Sequence, residues 1–170
     1  LWRLFAESSQ DDDDLALILE DDAALVPDFA ARVSAAWESG SLQDCGMIYC
    51  GFSHRGERRA VPLAGLPSGE NGSTCAFVPT LVFTTHCYFI RSRTAKALLN
   101  ALPVRGPLDC WLSQIHWAGE RVLCLGVEGA GWKGQEPGPL ADQLGRFKRD
   151  SDVPRSSRGE AERPRRRGGR

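Results

Sequence analysis

Short apolar runs separated by polar turns dominate the hydropathy pattern of this chain. Leu15–Leu19 are five consecutive apolar residues, and such an uninterrupted run predicts a strand that is covered on both faces. Residues 53–75 are polar and rich in Gly, Pro, Ser and Arg, which predicts a long loop. Further strands are predicted at 46–51, at 76–91 and at 121–127.

Helical periodicity marks the segments between these strands. Phe29, Val33 and Trp37 recur at steps of four and form one apolar stripe. Residues 92–102 have an apolar face, Pro107 opens a further helical segment, and residues 1–9 are typical of the end of a helix. This alternation predicts an α/β fold, with a mainly parallel sheet flanked by helices.

The charge is distributed unevenly along the 170 residues. The net charge is -1, but residues 153–170 carry seven Arg against two Glu, which leaves 14 basic and 20 acidic residues in the body. We therefore expect one domain over residues 1–152 and an Arg-rich disordered tail over 153–170. An acidic body is a poor general binder of nucleic acid, whereas the tail is either solvated or an arm for anionic partners.

The six cysteines form no C-x-x-C pair, and no His spacing suggests a zinc site. Most lie in apolar stretches, which favours buried free thiols, although disulfides in an oxidising compartment stay open. No apolar stretch reaches membrane-spanning length.

Three consecutive carboxylates, Glu20, Asp21 and Asp22, follow the Leu15–Leu19 strand. Charge so close to a buried strand requires compensation, either by water or by a bound divalent cation. In an extended turn residues i and i+2 point the same way, so Glu20 and Asp22 are the predicted metal ligands. A metal there would hold a diphosphate and neutralise a nucleotide leaving group.

Four stretches in order resemble glycosyltransferase family 25, which includes lipopolysaccharide and procollagen galactosyltransferases. The first is the apolar strand with Leu-Glu-Asp-Asp-Ala, followed by a helix and Ile-Tyr-Cys-Gly. The others are the segment 86–102 with its Ala-x-x-Leu-Leu helix, the segment 108–112 around Asp109, and Ser-Asp-Val at 151–153. Trp2 resembles the remnant of a Trp-containing helix in the family.

The resemblance implies a GT-A-type nucleotide-diphosphosugar transferase fold that is incomplete at its N-terminus. It also implies an inverting, metal-dependent transfer of a hexose, usually galactose, from a UDP-sugar to a hydroxyl acceptor. Glu20, Asp21 and Asp22 correspond to the acidic motif at Mn²⁺ and the donor diphosphate. Asp109, which corresponds to the acid after the Ala-x-x-Leu-Leu helix, is the first candidate for the base that deprotonates the acceptor, and Asp152 is the weaker one.

One alternative function stays open, together with the acceptor and the compartment. The chain is alternatively a non-catalytic binding or adhesion module on the same fold, because folds outlive their chemistry. The acceptor is a glycan or a hydroxylysine-type side chain. The compartment follows the acceptor: endoplasmic reticulum or Golgi lumen for a procollagen-like enzyme, cytoplasm for a lipopolysaccharide type. Trp111 and Trp132 are candidate sugar platforms, although Trp111 lies in an apolar context typical of core packing.

Overall fold

The computed structural model describes residues 1–63, 68–69, 72–128, 130 and 137–143. The predicted tail at 153–170, Asp152 and Trp132 lie outside the described residues. Within them, no helix is long and apolar enough to cross a membrane.

The helices lie where the apolar periodicity predicts them. They are α1 (Trp2–Ser8), α2 (Phe29–Glu38), α3 (Ser92–Asn100) and α4 (Leu108–Leu112), and a short 3₁₀ turn follows at Ile115–Ala118. The strands are β1 (Leu15–Leu19), β2 (Ala23–Leu25), β3 (Cys45–Val61), β4 (Ser68–Gly69), β5 (Gly72–Arg91), β6 (Arg121–Val127), β7 (Gly138–Pro139) and β8 (Ala141–Gln143). The predicted boundaries of β1 and β6 are confirmed.

The fold is mixed α/β, but the prediction of a mainly parallel sheet is wrong. The main sheet has the order β1-β5-β3-β6-β7, with β4 paired to β5, and β3–β6 is its parallel pair. The other described pairings are antiparallel. The reason lies in the connections: β3 leads into β5 as a hairpin, whereas the path from β3 to β6 passes through α3 and α4 and so returns in the same direction.

The predicted long loop at 53–75 is also largely wrong. β3 continues to Val61 and β5 starts at Gly72, so the two strands form a long hairpin that spans most of this segment. Its outer half is exposed on β3 from Arg55 to Ala60. On the β5 side, residues 74–77 also pair with β6, so the exposure lies mainly on β3. The exposed side chains of β3 are mostly polar, and this is why the composition concealed the hairpin.

β1 is confirmed as a strand, but it is not covered on both faces. It pairs with β5 alone among the described strands, so it forms an edge of the sheet. Ala16 and Ile18 pack against the core, whereas Leu17 and Leu19 on the other face are 38% and 44% exposed. Alternation of side chains along a strand explains this split between the two faces.

Two apolar clusters lie on opposite faces of the sheet. Alternate residues of β3 divide between them, with Ile48 in one cluster and Tyr49 in the other. Helix α2 covers the first face with Phe29 and Ala36, and the helices α1, α3 and α4 pack on the second. The result is a layered arrangement of helix, sheet and helix, as the sequence predicts.

The buried Arg91 side chain connects the turn before β1, residues 11–14, to this core. Arg91 donates hydrogen bonds to the carbonyl oxygens of Cys45 (2.9 Å) and Asp13 (2.7 Å) and to that of Gln43. Its guanidinium also lies over the Trp37 ring, 5.5 Å from the ring centroid. Arg91 is the last residue of β5, and the three carbonyl groups lie just before β1 and at or just before the start of β3. One side chain therefore holds these three strands together where β5 ends.

The expectation of free thiols is confirmed. All six cysteines are free, and Cys45, Cys50, Cys87 and Cys124 are buried. Burial raises the pKa of Cys45 to about 11 and, together with the charge of Glu128, that of Cys75 to about 11. Cys45 and Cys75 therefore stay protonated at neutral pH, and the four buried cysteines act as apolar packing groups.

Candidate functional site

The acidic triplet forms a tight turn where β1 leaves the sheet. The backbone N–H of Glu20 donates to the carbonyl of His86 (2.9 Å), which continues the pairing of β1 with β5 by one residue. The N–H of Ala23 then donates back to the carbonyl of Glu20 (3.1 Å) and closes the turn. β2 begins directly afterwards and pairs with β8. The turn is therefore anchored to β5 on one side and to β8 on the other.

Glu20 is held by hydrogen bonds to both of its carboxylate oxygens. Thr85 Oγ1 donates to Oε1 at 2.9 Å, and Gln143 Nε2 donates to Oε2 at 3.2 Å. Both donors are neutral side chains, and together they fix the direction of the carboxylate. Each carboxylate oxygen has a second lone pair, and this leaves Glu20 able to bind a cation.

Asp22 presents an unusual carboxylate oxygen. Its Oδ1 is buried, and none of the described residues gives it a hydrogen-bond partner. A buried carboxylate oxygen without a donor is costly, and a bound cation is one way to compensate it. Asp21, by contrast, is exposed.

The acidic turn fits a divalent cation only together with a ligand that supplies further oxygens. No group of three or more His, Cys, Asp or Glu side chains within the described ranges is placed to hold a metal ion. Ions such as Mg²⁺ are often bound by one or two carboxylates with the remaining positions filled by substrate phosphates and water. Glu20 and Asp22 are the two carboxylates of the acidic turn that such an arrangement would require, and a diphosphate would have to supply the remaining oxygens.

The buried His86 side chain joins β5 to β8, the two strands that flank the acidic turn. The His86 ring is fully buried, and its Nε2 donates to the carbonyl of Ala141 at 2.9 Å, because a carbonyl can only accept. Gly51 lies against this ring: a Cβ at Gly51 would come within 2.2 Å of Nε2. This hydrogen bond fastens β8, which carries Gln143, to β5.

Asp109 lies in the first turn of α4, where its Oδ1 accepts a hydrogen bond from the Cys110 N–H (2.7 Å). The partial charges at a helix N-terminus favour a carboxylate in such a position. Stabilisation of the helix N-terminus therefore explains an aspartate at position 109, and its role as a base stays a prediction.

Two neighbouring tyrosines, Tyr49 and Tyr88, have raised pKa values. Burial raises the pKa of Tyr49, and the charges of Cys124, Tyr88 and Asp109 raise it further. Burial also raises the pKa of Tyr88; a hydrogen bond from Trp2 opposes this, and the charge of Glu20 adds to it. The two tyrosine rings lie with centroids 6.0 Å apart.

The core-packing interpretation of Trp111 agrees with its surroundings. Trp111 is half-buried against the second apolar cluster and stacks on Trp2, with ring centroids 6.3 Å apart. Trp2 in turn donates its indole N–H to the Tyr88 hydroxyl at 3.0 Å. The N-terminal helix is thereby connected to the tyrosine pair.

Sequence reasoning missed the two side chains that hold Glu20. The sequence pattern places Thr85 only in a strand, and Gln143 lies in a segment without a clear pattern. The adjacent Thr84 has φ of 77°, a left-handed conformation that is rare for a β-branched residue. No feature of the sequence marks that bend, because Thr-Thr is an ordinary strand pair.

Comparisons with known proteins do not assign the chain to a family. No protein-family model matches the chain, and no curated protein matches it.

Proposed function

We propose that this protein is a hexosyltransferase that moves a hexose, galactose first among the candidates, from a UDP-sugar to a hydroxyl acceptor with inversion. The observation that carries the proposal is the acidic turn at the end of β1. There Glu20 is oriented by two neutral donors, and Asp22 has a buried oxygen without a hydrogen-bond donor among the described residues. The four ordered stretches that resemble glycosyltransferase family 25, of GT-A type, support the same assignment.

In this proposal Glu20 and Asp22 hold Mn²⁺ beside the donor diphosphate, and Asp21 contributes to donor binding from the exposed side of the turn. The metal would supply Lewis-acid neutralisation of the charge on the departing UDP. Thr85 and Gln143 keep the Glu20 carboxylate aimed while the donor binds. Burial of Asp22 Oδ1 favours a cation at this position over bulk water.

Asp109 is the proposed base. In an inverting transfer the acceptor hydroxyl attacks the anomeric carbon from the side opposite UDP, and a carboxylate takes the hydroxyl proton. Asp109 Oδ1 is engaged by the Cys110 N–H, so Oδ2 is the oxygen assigned to this task. The acceptor is a hydroxyl group of a glycan or of a hydroxylysine-type side chain.

The test is release of UDP from UDP-galactose and UDP-glucose with Mn²⁺ and a panel of hydroxyl acceptors. Asp22→Asn is expected to abolish turnover, because the amide lacks the charge but keeps the shape. Asp109→Asn is expected to lower turnover by about 100-fold or more, the usual contribution of a general base. Asp44→Asn is the matched control on an exposed aspartate outside the turn. Unchanged turnover in Asp22→Asn would overturn the assignment.

A second candidate is a non-catalytic binding module. The specific observation in its favour is that both oxygens of Glu20 already accept hydrogen bonds within the protein. Such a module would bind UDP or a glycan without releasing UDP from any sugar donor. The same assay separates the two candidates when it is combined with a binding measurement.

A further inference from the structure

The threonine hydroxyl that holds Glu20 lies directly after a strained backbone position. Thr84 has φ of 77°, and it is the non-glycine residue with positive φ in the described part of the chain. This conformation costs a β-branched residue free energy, and such strain persists only where the surrounding structure enforces it. Thr84 lies within β5, between residues 76–83, which pair with residues 53–61 of β3, and residues 87–91, which pair with β1.

The residues around this bend enforce its geometry. The Thr84 side chain donates toward the Gly51 carbonyl at 3.5 Å, and the His86 ring fills the space that Gly51 leaves open. Thr85, between them, is directed to the acidic turn, where its hydroxyl meets Glu20 Oε1 at 2.9 Å. The bend therefore sets the direction of one hydroxyl group.

From this geometry we infer that Thr85 is a positioning residue, which orients the Glu20 carboxylate for a divalent cation shared with Asp22. The inference rests on the proposed function, because that function places the cation at the acidic turn. Its chemistry is that of an outer partner of a metal ligand: a neutral donor restrains the carboxylate without competing for its charge. Removing such partners typically lowers metal affinity by about 10- to 100-fold.

The experiment measures Mn²⁺ affinity by electron paramagnetic resonance, in which free Mn²⁺ gives the signal, with UDP present at a fixed saturating concentration. Thr85→Val removes the hydroxyl and keeps the shape, and its Mn²⁺ dissociation constant is expected to rise at least tenfold. Thr85→Ser restores a hydroxyl and is expected to remain within about threefold of the wild type. Thr85→Ala gives a second test of the same loss if valine disturbs folding.

The matched control is Thr80→Val. Thr80 lies on the same strand, and its hydroxyl donates to the Glu57 carbonyl at 2.7 Å in the outer hairpin. This variant is expected to bind Mn²⁺ like the wild type. Thermal unfolding of each variant separates loss of folding from loss of affinity, since a merely structural threonine would lower stability without the pattern of loss in Val and rescue in Ser.

The outcomes separate the role inferred for Thr85 from the proposed metal-dependent function. If the wild type binds Mn²⁺ and UDP while Thr85→Val and Thr85→Ala bind equally well, the inference is overturned and the proposed function stands. If folded wild type binds no Mn²⁺ in the presence of UDP, the proposed function is overturned and the inference falls with it.

Discussion

Replacing Gly51 with alanine is expected to displace the His86 ring and so weaken the attachment of β8 to the sheet. A Cβ at this position would lie 2.2 Å from Nε2, 2.3 Å from Cδ2 and 2.9 Å from Cε1. Carbon atoms in contact prefer separations of about 3.5–4.0 Å. The ring must therefore move by more than 1 Å, and its 2.9 Å hydrogen bond to the Ala141 carbonyl cannot survive that movement.

Two costs then add in Gly51→Ala. Forcing a methyl group into a packed interior costs about 1–3 kcal/mol, and leaving a buried carbonyl without its donor costs about 1–3 kcal/mol. We therefore expect the free energy of unfolding to fall by about 2–6 kcal/mol. Equilibrium unfolding in urea, followed by tryptophan fluorescence, measures this loss directly.

The control is the same substitution in a protein that lacks the ring. In a His86→Ala background the new methyl group has space, so Gly51→Ala is expected to lower the free energy of unfolding by less than about 1 kcal/mol. The costs of Gly51→Ala in the two backgrounds are therefore expected to differ by more than additivity allows. An equal loss in both backgrounds would refute the steric argument, because the cost would then not depend on the His86 ring.

Three further predictions concern stability. Arg91→Ala is expected to cost about 3 kcal/mol or more, because it leaves three carbonyl groups without their charged donor. Arg93→Ala removes two partly exposed ion pairs, with Asp13 and Glu120, and is expected to cost less than about 1 kcal/mol in the same urea assay. Thr84→Gly is expected to raise the melting temperature, since it relieves strain of about 1–3 kcal/mol against a glycine cost of about 0.5–1 kcal/mol; a lowered melting temperature would contradict this. Cys45 and Cys75 have pKa values raised from 9.0 to about 11, so the unfolded state releases their protons first, and stability is expected to fall as the pH rises from about 9 to about 11; an unchanged urea midpoint between pH 8 and pH 10.5 would contradict the burial of these thiols.

Local sequence signals predicted most of the individual elements. The apolar runs at Leu15–Leu19 and Arg121–Val127 are strands with the expected boundaries. The stripe of Phe29, Val33 and Trp37 lies on a helix that faces the core. Each of these signals depends only on neighbouring residues, which is why periodicity identifies them.

The direction of the strands could not be read in the same way. An apolar run looks alike in a parallel and in an antiparallel sheet, and the polar outer half of the β3–β5 hairpin resembles a loop. Leu17 and Leu19 are half-exposed because β1 lies at the edge of the described sheet. That exposure depends on which elements lie beside β1, and residues 15–19 alone do not predict those neighbours.

The candidate site was predicted in part. The acidic turn at the end of β1 follows from residue type and position, and Glu20 and Asp22 lie there. The donors to Glu20 come from Thr85 and Gln143, which are 65 and 123 residues away along the chain. Contacts of this range result from the folding of the whole sheet, so no local pattern predicts them.

Calorimetric titration of the folded protein with UDP, with and without Mn²⁺, tests whether the acidic turn binds both the metal and the donor. We expect UDP to bind in the presence of Mn²⁺ and binding to be lost when the metal is chelated. Asp22→Asn is expected to abolish binding, whereas Asp44→Asn is not. UDP binding that is independent of Mn²⁺, or binding that survives Asp22→Asn, would contradict the assignment of the acidic turn as the metal and donor site.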